Sequence, residues 1–221
     1  MPQFVELSHT IVEGMRTYPG LPEPRAEVLF DHAASRPRYG GESEFLIASL
    51  HLCGNTGTYV DSPFHRYPDG IDLAGLPLER LAHLEFVAVD ARLNVGRGIG
   101  LQAFAGIDAA HVKGKAVLVY TDWARHWGQP TYFEANPHLT GDACKWLVDA
   151  GAVFVGIDSV NIDDMADMRR PAHTILLGNN VPVCEHMTNL EALDGQPGRL
   201  HAVPIAWRGG ATFPVRAYVV R

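Results

Sequence analysis

Four polar side chains that could do chemistry lie within the eleven residues from Asn55 to His65. Successive side chains of a strand alternate between its two faces, so a strand ending at Asp61 would direct Asn55, Tyr59 and Asp61 to one face. Pro63 fixes the chain just past the acid, and His65 follows in the turn. The segment therefore predicts a functional site that holds an acid and a histidine close together.

A second stretch whose side chains could do chemistry runs from His173 to Glu185. His173 opens one apolar run, and Glu185 closes another one directly after Val181-Pro182-Val183-Cys184. An acid at the end of such a run is expected to be buried, and buried acids are normally paired, hydrogen-bonded or bound to metal. Both residues are therefore candidates for a buried site, with a structural pair as the alternative.

The composition of the chain excludes several classes of partner. The chain has 221 residues, which is enough for one domain over residues 1–221, and its net charge is −7. That acidic balance offers no basic surface to nucleic acid or to an anionic membrane, and no apolar run approaches the roughly 20 residues that cross a bilayer. The three cysteines are scattered and form no Cys-x-x-Cys pair, which predicts reduced thiols in a cytoplasmic protein.

Hydrophobic patterns predict more strand than helix. The clearest helix covers Gly141–Ala150, with Thr140 as its N-cap and Gly151 as its stop, and its apolar residues recur at i, i+3, i+4 and i+7. It leads directly into a buried strand, so the predicted fold class is a single α/β domain with few helices. Apolar, β-branched runs predict strands at Glu44–His51, Phe86–Asp90, Ala116–Thr121, Val153–Asp158, His173–Leu177 and Ala217–Val220.

The first segment closely resembles a known metal-binding motif, HxGTHxDxPxH. This motif is typical of the cyclase/kynurenine formamidase family of metal-dependent hydrolases, which includes isatin hydrolases. The sequence here reads Asn55-x-Gly57-Thr58-Tyr59-x-Asp61-x-Pro63-x-His65. Other family elements follow the same order along most of the chain, namely Tyr18-Pro19-Gly20, the strand Lys115–Trp123, Gly156-Ile157-Asp158-Ser159, His173 with Val181–Leu190, and Phe213–Ala217. The chain is therefore identified as a member of this family.

The resemblance implies a swivelling β/β/α cyclase fold with a mixed sheet, and a site that holds two divalent ions. By resemblance, one ion is bound by two motif histidines and the motif aspartate. The other is bound by the same aspartate, the later histidine and the glutamate. Asp61, His173 and Glu185 match this second set, and His65 matches the histidine that acts as acid/base.

Asn55 and Tyr59 depart from the family motif, because they stand where the family has the two histidines of the first ion. Neutral imidazole is a strong ligand for zinc or manganese, whereas an amide oxygen is weak and a phenol must first lose a proton with a pKa of about 10. We therefore expect the first ion to be absent or very weakly bound. His51 is a candidate replacement, but four extended residues cover roughly 13 Å, too far without rearrangement.

The remaining ligands predict a site for one divalent ion, manganese or zinc, with open positions for water and substrate. His65 would take the proton of the water and later donate it to the leaving group. The predicted function is hydrolysis of an amide or cyclic amide bond in a small aromatic substrate. The predicted roles are metal ligation by Asp61, His173 and Glu185, catalysis by His65 and Tyr59, and substrate contact by Asn55, Trp123 and Tyr18.

Two other functions stay open at this stage. Without an ion, Asp61 and Glu185 would form a pair in which both carboxyls cannot easily ionise, and with His65 and Tyr59 such a pair suits proton transfer. That chemistry would make the protein a metal-free lyase, dehydratase or cyclase. The other alternative is a non-catalytic protein that binds a small molecule. The family resemblance also implies a homo-oligomer, either a dimer or a tetramer.

Overall fold

Strands outnumber helices in the computed structural model, which describes residues 2–221. The described residues contain thirteen strands and four α-helices, so the predicted α/β class with few helices is confirmed. The strands are β1 (Phe4–Glu6), β2 (Arg25–Phe30), β3 (Ile47–His51), β4 (Tyr59–Asp61), β5 (Phe86–Asp90), β6 (Gly98–Ile99), β7 (Ala116–Tyr120), β8 (His138–Leu139), β9 (Phe154–Ile157), β10 (Val183–Glu185), β11 (Arg199–His201), β12 (Thr212–Pro214) and β13 (Tyr218–Val220). The helices are α1 (His32–Ser35), α2 (Ala109–Val112), α3 (Gly141–Asp149) and α4 (Pro171–Gly178). Short 3-10 helices cover Arg36–Tyr39, Pro63–His65, Leu78–Arg80, Leu101–Phe104, Trp123–His126, Pro130–Phe133 and Leu190–Leu193.

A six-stranded mixed sheet in the order β12-β4-β10-β9-β7-β5 forms the centre of the fold. Strands β5, β7, β9 and β10 run parallel, whereas β4 is antiparallel to both β10 and β12. One face of the sheet is covered by α3 and α4, and the other by the small sheet β1-β13-β11. Burial on both faces explains why β7 and β9 are apolar without alternation.

The helix predicted over Gly141–Ala150 is confirmed as α3. The Thr140 side chain accepts a hydrogen bond from the Ala143 amide at 3.3 Å, and Gly151 stops the helix with φ of +82°. Five of the six predicted strands are also present, with ends that differ by up to three residues. No helix within residues 2–221 is long and apolar enough to span a membrane.

The strand predicted at His173–Leu177 is wrong, because this run is part of helix α4. Its β-branched residues favour a strand, but a short apolar run has no decisive period. Pro171 at the first helical position and the Asp163 carboxylate both favour the helix, since Asp163 accepts hydrogen bonds from the amides of Ala172 and His173.

The strand expected from Asn55 to Asp61 is shorter than predicted. Only β4 is extended and paired, while residues 55–58 form a turn in which Gly57 has φ of +64°. A side chain at Gly57 would meet Ile11 at 3.1 Å, so both conformation and space favour glycine here.

Strands β2 and β3 form a separate two-stranded ribbon. Residues directly opposite in an antiparallel pair share a face. The pairs Ala26–Leu50 and Val28–Ala48 therefore make one face apolar. The Arg25–His51 and Glu27–Ser49 pairs make the other polar. Val28 and Leu50 are 57% and 55% exposed, so the apolar face is open to solvent in the single chain.

Candidate metal centre

The register of two antiparallel strands places three of the predicted site residues together. Tyr59 on β4 lies directly opposite Glu185 on β10, and Asp61 lies two residues further along the same face. All three side chains are buried. Their neighbours Val60 and Cys184 point to the opposite face and pack in the core under the small sheet. The sheet thus supplies two carboxylates and a phenol on the side that α4 covers.

Helix α4 brings His173 to these carboxylates, and Asp163 holds it there. His173 Nε2 lies 3.5 Å from Asp61 Oδ2 and 3.5 Å from Glu185 Oε1. Its Nδ1 lies 2.6 Å from Asp163 Oδ2. A carboxylate on the far nitrogen of a histidine is the arrangement that orients metal-binding imidazoles. Burial alone would lower the pKa of His173, but Asp163 and Asp61 raise it to about 10.

The Asp61 carboxylate gives the clearest evidence that the chemistry of this centre fits a divalent cation. Both of its oxygens are buried, and neither accepts a hydrogen bond from any residue in the range 2–221. A buried carboxylate without hydrogen bonds is costly unless a cation neutralises it. Oxygens of Asp61 and Glu185 each lie 3.5 Å from His173 Nε2, so two carboxylates converge on one imidazole, a donor set that suits a divalent ion.

Each oxygen of the Glu185 carboxylate accepts a hydrogen bond from another part of the protein. Its Oε1 accepts a hydrogen bond from the Ile162 amide at 2.7 Å, and its Oε2 accepts one from the Tyr59 phenol. Burial raises the pKa of Glu185, and His173 opposes that rise. Burial and Glu185 also raise the pKa of Tyr59 well above its usual range, so the phenol stays protonated and donates.

Asn55 and Tyr59 do not fit a second ion. The Tyr59 hydroxyl is engaged with Glu185, and Asn55 Oδ1 accepts a hydrogen bond from Thr212 Oγ1 at 3.2 Å. His51 does not replace them, because it lies on the exposed ribbon beside Glu27, 3.8 Å from its carboxylate. The two residues at the family's histidine positions, Asn55 and Tyr59, therefore form hydrogen bonds within the protein.

A cavity of about 450 Å³ opens onto this centre. His65 lies at its rim on the Pro63–His65 turn, with its ring centroid 5.7 Å from that of His173. Asp61, His65 and His173 each offer a ligand atom within 4.8 Å of the others. Tyr18 also lines the cavity, as do Asn55, Tyr59, His173 and Glu185.

Trp123 is not among the described residues that line the cavity, although the sequence predicts a substrate contact there. Its indole N–H donates to the Tyr132 carbonyl at 2.9 Å, and its ring packs on His126. Tyr132 is fully buried, and its hydroxyl lies 3.1 Å from His186 Nδ1. These aromatic residues therefore pack beneath a loop instead of forming a wall of the cavity.

Two residues near the centre were not identified as functional from the sequence. Asp163 accepts hydrogen bonds from both the ring and the backbone amide of His173. Arg170 lines the cavity three residues before His173. The sequence contained one usable signal, since Pro171 marks a helix start that would place Arg170 next to the centre.

Comparison with known proteins assigns the family. The sequence model of the family "Putative cyclase" matches residues 5–164, so the chain belongs to this cyclase family, as the motif predicted. Kynurenine formamidase of Bacillus cereus is 24% identical over 98% of this chain and 97% of the relative. Kynurenine formamidase of Salinibacter ruber is 29% identical, covering 96% and 95%. Isatin hydrolase A from Ralstonia solanacearum shares the fold with a TM-score of 0.83 at 21% identity, covering 99% of this chain and 92% of that one.

Proposed function

We propose that this protein is a metal-dependent hydrolase that cleaves an amide or cyclic amide bond in a small aromatic substrate. Family membership supports the reaction class, and its similarity to kynurenine formamidases and to an isatin hydrolase supports the bond type. The observation that carries the proposal is the buried Asp61 carboxylate, whose two oxygens have no hydrogen-bond partner among residues 2–221 and face His173 Nε2.

Asp61, His173 and Glu185 would hold a single divalent ion, manganese or zinc. When bound, such an ion polarises a carbonyl and lowers the pKa of a water towards 7. Asp163 holds the His173 ring through Nδ1 and so keeps Nε2 directed at Asp61 and Glu185, where it would serve as a ligand once deprotonated. Tyr59 holds Glu185 through Oε2 and leaves Oε1 directed at His173.

His65 would act as the acid/base. It is exposed at the cavity rim and close to the ligands without being buried among them, which leaves its imidazole free to exchange protons with solvent. Its imidazole would accept the proton of the attacking water and return it to the leaving nitrogen of the amide. Asn55 and Tyr18 line the cavity and would contact the substrate.

Metal analysis of protein purified without chelator tests this proposal. We expect about one equivalent of manganese or zinc per chain, and hydrolysis of N-acyl anilines that a chelator removes and the ion restores. His65→Ala should abolish turnover while the ion stays bound, and His111→Ala, at an exposed position on α2, serves as the control. Turnover that is unchanged by the chelator would contradict the metal-dependent reaction and would favour metal-free proton transfer by the same residues.

We further propose that the chain forms a homo-oligomer, a dimer or tetramer, through the apolar face of the β2–β3 ribbon. An isolated two-stranded ribbon is at best marginally stable in water, so an exposed apolar face needs a cover. Leu50→Asp should lower the molar mass measured by light scattering, whereas Ser49→Asp on the polar face should not. Equal masses for both variants would remove the ribbon from the interface.

Two remaining proposals concern the whole chain. Residues 1–221 would form one cyclase-family domain, because the two core clusters pack on opposite faces of the same sheet. The protein would be cytoplasmic, since Cys53, Cys144 and Cys184 are all free thiols. Limited proteolysis that released a stable fragment would contradict the single domain.

A further inference from the structure

Two arginines line the same cavity as the candidate metal ligands. Arg66 follows His65 on the rim, and Arg170 precedes helix α4. Neither forms an ion pair with a carboxylate among residues 2–221, whereas Arg92, Arg97 and Arg169 do. Both guanidinium charges are therefore available to a molecule in the cavity.

Arg170 and the adjacent Arg169 differ in backbone conformation and in the direction of their side chains. Arg170 has φ of 49° and ψ of 60°, a left-handed conformation that is costly for a residue other than glycine. Arg169 points outward, with its side chain 87% exposed and paired with Asp167 at 2.8 Å. Arg170 instead lines the cavity, so the strained backbone accompanies a change of direction between two adjacent cations.

Both guanidinium groups are anchored by one or two contacts and retain free donors. Arg170 Nη1 donates to the Asp164 carbonyl at 3.2 Å, and Arg66 Nε donates to Thr174 Oγ1 at 3.2 Å. Arg170 also hydrogen-bonds the Tyr18 hydroxyl, and among the described residues no further acceptor contacts either group. Burial raises the pKa of the Tyr18 phenol and Arg170 opposes that rise, so Tyr18 and Arg170 are neighbours in the cavity. A planar fork of free donors matches the two oxygens of a carboxylate.

The charge of the cavity points to the same kind of ligand. Asp61 and Glu185 carry two negative charges, which one divalent ion would balance. The Asp163 carboxylate on His173 offsets one of the two arginines, so one positive charge remains in excess, at the rim and wall of the cavity instead of beside the ion. One anionic group on the bound molecule would neutralise it.

We propose that Arg170, assisted by Arg66, binds a carboxylate of the substrate that is distinct from the amide to be cleaved. The substrate class is therefore an N-acyl amine or cyclic amide that also carries a carboxylate. This inference rests on the proposed function, because it names the substrate class of that site. Arg170 is the specificity-determining residue, and its role is to select the anionic substrate over a neutral one of the same shape.

A matched pair of substrates tests the selection. For 3-formamidobenzoate, Arg170→Met should lower kcat/KM about 10- to 100-fold, chiefly through KM, because a charge-assisted hydrogen bond is lost. For the neutral 3-formamidobenzamide, the same variant should change kcat/KM less than about twofold. Arg169→Met is the control and should leave both substrates unaffected. Equal losses for both substrates would overturn the proposal and make Arg170 a structural residue.

Direct binding separates this inference from the proposed function. By calorimetry, benzoate should bind the wild-type protein at least about tenfold more tightly than Arg170→Met, while benzamide should not distinguish them. Arg170→Lys should recover only part of the benzoate affinity, since an ammonium lacks the planar fork. If no amide is cleaved but benzoate binding depends on Arg170, the carboxylate site stands and the hydrolase proposal falls. Benzoate binding that is equal in wild type and Arg170→Met would reflect the ion alone and overturn the inference.

Discussion

The two halves of the centre differ in whether their polar atoms are satisfied. On one side, Asp61 has two buried oxygens without hydrogen bonds, and His173 Nε2 faces it at 3.5 Å. On the other side, Tyr59 donates to Glu185 and Asn55 accepts from Thr212. Buried acceptors without hydrogen bonds indicate a site for a bound group, whereas hydrogen bonds within the protein indicate that the same atoms are not available to an ion. The comparison therefore predicts one ion where the family pattern has two.

Asp61→Asn should have the largest effect on this comparison. It removes the one ligand whose oxygens are both unpaired, so ion affinity should fall at least about 1000-fold and turnover should be lost. The fold should survive, because Asp61 has no hydrogen bonds to lose among the described residues. Metal titration followed by calorimetry measures the affinity, and Asp69→Asn on an exposed loop is the control. Retained affinity in Asp61→Asn would mean that the ion is held elsewhere.

Asp163→Asn should have the next largest effect, although Asp163 does not touch the ion. Its carboxylate lies 2.6 Å from His173 Nδ1 and also accepts from the amides of Ala172 and His173. Loss of such a supporting carboxylate typically costs 10- to 100-fold in metal affinity, so we expect about that loss here. Asp164→Asn tests the neighbouring acid, which pairs with Arg97 on the surface, and should leave ion affinity unchanged.

Much of this half could be predicted from the sequence, because motif spacing identifies candidate ligands independently of secondary structure. The convergence of Asp61, His173 and Glu185 follows from the motif even though the element that carries His173 was predicted as a strand. The contact between Asp163 and His173 could not be predicted, since it exists only when α4 turns back over residue 163. The direction of Arg170 depends on a positive φ, which hydrophobic periodicity does not report. Trp123 looked like a cavity wall because aromatic composition alone does not distinguish a pocket from packing under a loop.

Tyr59→Phe tests the half of the centre in which Tyr59 and Asn55 form hydrogen bonds within the protein. Removing the phenol leaves the buried Glu185 Oε2 without its donor, which should lower the free energy of unfolding by about 1–3 kcal/mol in ion-free protein. Added manganese should restore more stability to this variant than to wild type, because the ion can then neutralise both oxygens of Glu185. Urea unfolding with and without manganese measures both values. An unchanged free energy of unfolding would mean that the Tyr59–Glu185 hydrogen bond does not stabilise the protein.

Acid sensitivity should be the smallest effect, and it arises outside both halves. Burial lowers the pKa of His9 to about 4 and that of His186 to about 3. The unfolded chain, with a histidine pKa near 6.5, then binds more protons than the folded chain. The stability that these two neutral histidines contribute is therefore fully present above pH 6.5 and falls as the pH drops towards 4. Urea unfolding at a series of pH values measures this loss.

His9→Phe should remove part of that acid sensitivity. The histidine ring stacks on Trp127 with centroids 3.9 Å apart, and phenylalanine can keep this stacking without titrating. Between pH 7 and 4.5, we expect the variant to lose about 2 kcal/mol less stability than wild type. An identical loss in both proteins would show that His9 does not contribute. In either case, the pH dependence of turnover should be measured above pH 6.5, where this loss of stability does not interfere.

The number of ions bound per chain tests the central claim most directly. Wild-type protein and the double variant Asn55→His with Tyr59→His should be loaded with manganese or zinc, desalted and analysed for metal against protein concentration. We predict about one equivalent of metal for wild type and a second equivalent for the double variant, because the two imidazoles would supply ligands for a second ion. Two equivalents in the wild type, or none, would contradict the account.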